Sequence, residues 1–192
     1  MKLETWLSLT AAIVSAIGTG LAAYAALEAT RTSQRLATLQ ALDTFRVAIE
    51  KKDRGAACLR MLQNATPQAI RALVEHTEFK ITAASTPEAA RYCVKIDRNV
   101  AQNDELSVDK EHSIDVASQT FNLLNTYESL LLYWHDGVIN RSVICEQLRD
   151  DFSLVVPFVR LLQGASNITE IKSLLDGFPT LQEFINTTRC TP

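Results

Sequence analysis

From Thr5 to Leu27 the chain carries no charged residue. As a helix this stretch is about 34 Å long, enough to cross a hydrocarbon core of about 30 Å. Trp6 and Tyr24 stand near its two ends, where amphipathic rings favour the headgroup region. Beyond it, Leu36, Leu39, Leu42, Phe45 and Ile49 recur every three or four residues, with Arg35, Gln40, Asp43 and Arg46 between them. No Gly or Pro interrupts Leu21 to Arg54. The pattern predicts one rod, a transmembrane anchor over residues 1–27 that continues into a juxtamembrane amphipathic helix over 28–54, with its apolar seam serving as core or, alternatively, as a coiled-coil face.

The remaining residues, 55–192, read as a compact helical bundle. Thr66-Pro67 and Thr86-Pro87-Glu88 each place a capping Thr before a Pro suited to a first helical turn. Ile70, Leu73, Val74 and Ile81 supply the apolar face of the first helix, and Ala90, Cys93, Val94 and Val100 that of the second. The polar, acidic stretch from Gln102 to Glu111 reads as a loop. The strongest pattern places Ile114, Val116, Phe121, Leu124, Tyr127, Leu130, Leu131 and Trp134 inward on a central helix that closes at Gly137. Asn140 caps the next helix, which carries Val143, Ile144, Leu148 and Phe152; Pro157 should kink or restart the element that follows. Two short helices, near Thr169 to Leu175 and after Pro179, complete an all-α fold.

Composition supports this class: 47% of residues are hydrophobic, and only 6 Gly and 5 Pro are present to punctuate short strands. The net charge of −3 disfavours nucleic acid as a partner. The basic excess that exists, Arg31, Arg35 and Arg46 followed by Lys51, Lys52 and Arg54, lies just past the apolar stretch, where anionic lipid headgroups are the fitting partner. Cys58, Cys93, Cys145 and Cys190 are far apart and have no C-x-x-C pair, which argues against zinc. The first three sit among apolar residues and read as buried free thiols of a reducing compartment; two disulfides require export.

Lys2 stands alone before the apolar stretch, whereas Arg31, Arg35 and Arg46 follow it, which predicts a cytoplasmic C-terminal domain on a single-pass inner-membrane protein. Ser8, Ala12, Ala16 and Gly20 recur every four residues and form a small-residue face on which the chain would pack against itself or another membrane protein. The alternative is a cleaved signal peptide, since Ala23-Tyr24-Ala25 has a small-x-small pattern.

The run Phe121-Asn122-Leu123-Leu124-Asn125-Thr126-Tyr127-Glu128, followed by Gly137-Val138-Ile139, resembles a family of uncharacterised bacterial membrane-anchored proteins. The resemblance implies one N-terminal membrane helix, an Arg-containing juxtamembrane helix and a small helical cytoplasmic domain. It carries no catalytic residue. Asn122, Asn125 and Glu128 fall three residues apart on the central helix, with His135 two turns beyond, and form a candidate polar cluster that is either a pocket or a helix-to-helix hydrogen-bond network. His76, His112 and His135 share no metal-ligand spacing, and no nucleophile elbow or phosphate loop is present. The expectation is a non-enzymatic, cofactor-free interaction or regulatory module in envelope signalling, transport regulation or phage defence, with an unknown cytoplasmic protein as partner. The alternatives are a membrane-tethered enzyme with an unrecognised site and an exported helical domain.

Overall fold

A computed structural model of the chain describes residues 3–83, 87–96, 99–101, 104–139 and 141–187, with side chains from residue 22 onward. Helix α1 (Leu3–Glu50) runs without a break from the apolar stretch into the amphipathic one, as the absence of breakers after Leu21 predicts. It ends earlier than expected, at a turn through Lys51 and Lys52, and α2 (Asp53–Leu62) starts at once. Lys52 fixes this turn: its Nζ donates to the Asn122 carbonyl at 2.6 Å and to the Thr126 hydroxyl at 2.5 Å.

Among the described residues no helix is long and apolar enough to cross a membrane. The side chains of residues 1–21, which carry most of the expected anchor and its face of Ser8, Ala12, Ala16 and Gly20, lie outside the described residues.

The domain is mostly helical. In α3 (Pro67–Val74) the Thr66 side chain accepts from the Ala69 N–H at 3.2 Å, the cap that Thr66-Pro67 announces. Helix α4 is Pro87–Val94, and the capping Thr86 lies outside the described residues. The central helix α5 (Lys110–His135) begins one turn before Ile114, because the Asp109 side chain accepts from the His112 N–H at 2.9 Å. Its inward face is as expected except for Ile114, which is exposed. Helices α6 (Arg141–Gln147), α7 (Arg149–Gly164), α8 (Thr169–Asp176) and α9 (Pro179–Thr187) follow. Asn140, the expected cap of α6, is outside the described residues. Pro157 neither breaks nor restarts α7, which runs through it as one helix with Pro157 on the exposed side.

Two short strands join the helices without changing the all-α class. β1 (Phe79–Thr82) and β2 (Glu105–Val108) pair antiparallel, with Ile81 opposite Leu106 and Phe79 opposite Val108. Those four side chains are buried and the alternate ones are exposed, the period-two pattern of a half-buried ribbon. Ile81 is thus a strand residue rather than part of a helix face, and the segment read as a loop holds a strand.

Helix α2 is wedged between α4 and α5, and α5 also packs against α1, α3 and α9. The first buried residue along the described part of α1 is Thr38, followed by Leu42, with Ala41, Phe45 and Ile49 packed against the core. Phe45 meets Tyr133 of α5 edge to face, ring centroids 5.6 Å apart. The seam of α1 is therefore core from Thr38 onward, but Leu36 and Leu39 are exposed.

The free-thiol expectation is overturned. Packing of α2 on α4 brings Cys58 and Cys93 into a disulfide across 35 residues, and Cys145 is disulfide-bonded as well. Cys190 lies outside the described residues. In the chain-entropy view a loop of that size stabilises the fold by about 4 kcal/mol.

Gly55 is where α2 touches α5. A Cβ there would stand 2.7 Å from the Gln119 carbonyl oxygen and 3.0 Å from the Leu123 Cβ, the former part of a helix backbone that cannot step aside cheaply. Gly55→Ala is expected to destabilise the domain by about 1–3 kcal/mol despite the better helix propensity of Ala. Urea unfolding followed by circular dichroism measures this, and an unchanged midpoint would contradict the close approach.

Candidate functional site

The polar residues of α5 sort by helix face into separate roles. Glu128 is buried, and both carboxylate oxygens are occupied: Oε1 accepts the Thr180 N–H at 2.9 Å and Oε2 the Leu181 N–H at 2.7 Å. These are N–H groups of the first turn of α9, which have no partner inside that helix, so a side chain from α5 caps α9 and places its charge at the positive end of the helix dipole. One face further along, His135 reaches Glu183 of α9, Nδ1 to Oε2 3.3 Å. Glu128 and His135 thus hold α9 from two points.

Asn122 and Asn125 do not join them. Both are exposed; Asn122 Nδ2 donates weakly to the Ser118 hydroxyl at 3.3 Å, and the Asn125 carbonyl accepts from Ser129. The four-residue cluster therefore divides into a helix clamp and two surface amides. Buried and with each oxygen engaged by backbone, Glu128 serves the joint between α5 and α9.

Two polar groupings were not visible in the sequence. The Tyr127 hydroxyl faces the carboxyl of Asp151 on α7, and the Tyr127 and Phe152 rings meet with centroids 5.7 Å apart. Burial pushes the Tyr127 phenol far up, and burial likewise raises the Asp151 carboxyl against the opposing effect of the Tyr127 hydroxyl. The second joins α2, α4 and α5 beside the Cys58–Cys93 bridge. Arg54 donates to both Asp115 oxygens, at 3.2 and 2.5 Å, and to the Cys93 carbonyl from Nε at 2.9 Å and from Nη2 at 2.6 Å. Arg54 holds the Asp115 carboxyl below its usual range. The only sequence signals for these groupings were an Asp beside Phe152 and an Arg at the end of the basic run; partners 24 and 61 residues away are not legible as such.

The remaining candidates are surface features. Arg31 and Arg35 face a cleft of about 550 Å³ between α1 and α6, lined also by Gln34, Thr38, Val138 and Glu146. Arg46 is apart from them; it pairs with Glu50 at 3.3 Å and lines a smaller cleft with Asp43 and Leu148. Among the described residues, no group of three or more His, Cys, Asp or Glu side chains is arranged to hold a metal ion. His112 lies against Asp109 at 2.9 Å, and His76 sits exposed in a left-handed turn with φ of 55° just after α3.

No family model, curated protein or solved structure matches the chain.

The clamp makes a direct demand on stability. Glu128→Ala leaves two buried N–H groups at the start of α9 without an acceptor and is expected to cost about 2–4 kcal/mol, with Glu128→Gln, which keeps one acceptor oxygen, costing roughly half. Equal effects in chemical denaturation would refute the two-oxygen cap.

The Arg54–Asp115 pair sets part of the acid response. Because the native Asp115 carboxyl is held down, its contribution is present above the unfolded value and is lost as pH falls through the native one, below about pH 4. Arg54→Met should make the fall in stability below that pH shallower. Asp151 acts with the opposite sign: raised by burial, it contributes below its unfolded value and loses that contribution as pH rises through the native one. Asp151→Asn removes that dependence, as denaturation midpoints measured across pH would record.

Proposed function

We propose that the chain is a single-pass, membrane-tethered helical module that binds another protein and does not itself catalyse a reaction. The observation that carries this reading is the form of α1, one helix from Leu3 to Glu50 whose end is built into the core through Thr38, Leu42 and Phe45. A flexible tether would leave the domain free to tumble; a helix embedded in the core couples the domain's orientation to the apolar stretch. The side of α1 turned away from the core presents Leu36, Leu39 and Val47 to solvent around Asp43, each apolar side chain about half exposed. That side is the surface offered to the partner, while the polar groups inside the domain serve its own packing.

In this reading the domain stands on the oxidising side of the membrane. Disulfides at Cys58–Cys93 and at Cys145 support that placement, because reducing compartments keep thiols free. The orientation expected from Arg31, Arg35 and Arg46 rests on a small basic asymmetry, and its second support, the absence of disulfides, is withdrawn.

Crosslinking in native membranes followed by pull-down should recover a defined partner or a second copy of the chain, and Leu36→Glu with Leu39→Glu should reduce recovery at least several-fold. Recovery of neither would sink the interaction reading. In the same membranes, alkylated on lysis, the cysteines should resist maleimide until a reductant is added; full labelling without reductant would return the domain to the cytoplasm.

A further inference from the structure

The domain-facing side of α1 changes character at Thr38. Toward the C-terminus that side carries Leu42, Phe45 and Ile49, packed on the core, whereas one and two turns toward the N-terminus it carries Arg35 and Arg31. Both arginines point along the same side of the helix as Thr38 and form one wall of the cleft whose far wall is Val138 and Glu146. Packing does not explain two cations there, because the core has already ended.

Neither guanidinium is strongly engaged. Arg35 has no hydrogen bond or ion pair among the described residues. Arg31 reaches only Glu28, at 3.8 Å, with both side chains more than half exposed, an ion pair of little strength. The backbone N–H groups of Gly137, Val138 and Ile139 are already bonded to the Trp134 and Tyr133 carbonyls, so the turn offers a ligand no donor of its own. The cationic donors of the cleft, which Gln34 and Ser142 also line, are the planar forks of Arg31 and Arg35, whose paired N–H groups match phosphate oxygens.

Their height on the rod identifies the source of the phosphate. Counting from Leu27, the last residue of the apolar stretch, Arg31 lies about 6 Å and Arg35 about 12 Å further along the helix. The headgroup layer extends about 5–7 Å beyond the hydrocarbon on each side, so Arg31 starts within it, while Arg35 starts above it and reaches down with a side chain that tilts toward the helix N-terminus. We propose that the cleft between α1 and α6 binds the phosphate of an anionic phospholipid headgroup, with Arg31 and Arg35 as its ligands. The proposal rests on the membrane-tethered reading above and adds a specific lipid seat to it, one that would brace the domain against the bilayer surface.

The test titrates a short-chain phosphatidylglycerol onto the full chain in detergent and counts bound lipid by native mass spectrometry. Arg31→Gln with Arg35→Gln should weaken the apparent affinity about 30-fold, from about five-fold per arginine, whereas Lys172→Gln, an exposed cation on α8 outside the cleft, should leave it unchanged. Equal affinity in the double variant overturns the proposal. Displacement of the lipid by inorganic phosphate at the same concentration also overturns it, because the ligand would then be a soluble phosphate rather than a headgroup. A carbonate wash of native membranes separates the two readings: a chain released by the wash sinks the tether and this proposal together, whereas a retained chain that binds lipid without regard to Arg31 and Arg35 sinks only the seat.

Discussion

Helices α2 and α5 lie so close at Gly55 that the backbone of one nearly touches the other, and most of the domain is arranged around that approach. With α2 seated there, Arg54 faces Asp115 and Lys52 meets the Asn122 carbonyl, while Cys58 is presented to α4. The disulfide then holds α4 to the opposite side of α2. The Arg54 guanidinium, taking the Cys93 carbonyl and the Asp115 carboxylate together, satisfies the polar groups that such tight packing would otherwise strand. One residue without a side chain thus sets the spacing that a covalent bond and a charged network make permanent.

At the other end of α5 the same economy of polar groups serves α9. A carboxylate placed inside an apolar layer is costly unless its oxygens are engaged, and Glu128 meets that condition with two N–H groups that themselves lacked partners. Around this cap the rings of Trp134, Phe152 and Phe184 pack with centroids 5.0 to 5.1 Å apart, so the C-terminal helix is fixed by charge and by aromatic contact at once. Of the two readings open for the polar cluster, pocket or helix-to-helix network, Glu128 realises the second as a joint between α5 and α9.

The sequence revealed those features whose cause is local. The helix starts at Pro67 and Pro87, the inward face of α5 and the continuity of α1 follow from caps, spacing and the lack of breakers, all confined to a few neighbouring residues. The two strands escaped because four residues each show too little alternation to stand out, and β2 lies within an otherwise polar segment. The polarity of Glu128 was evident, but its meaning depended on Thr180 and Leu181, 52 and 53 residues away. Cysteine pairing was equally opaque, since burial among apolar neighbours describes a free thiol and a bridged one alike. The turn at Lys51 and Lys52 arises from tertiary hydrogen bonds to α5, which no local pattern encodes.

The length of α1 between Leu27 and Thr38 has a geometric consequence of its own. Eleven residues of helix amount to a spacer of about 16 Å, and every residue added or removed would turn the domain by about 100° as it raises or lowers it by about 1.5 Å. In the tethered arrangement proposed above, height and heading would therefore be locked to one another, and a membrane-held partner would meet the face bearing Leu36, Leu39 and Val47 at only one rotational phase of the stalk.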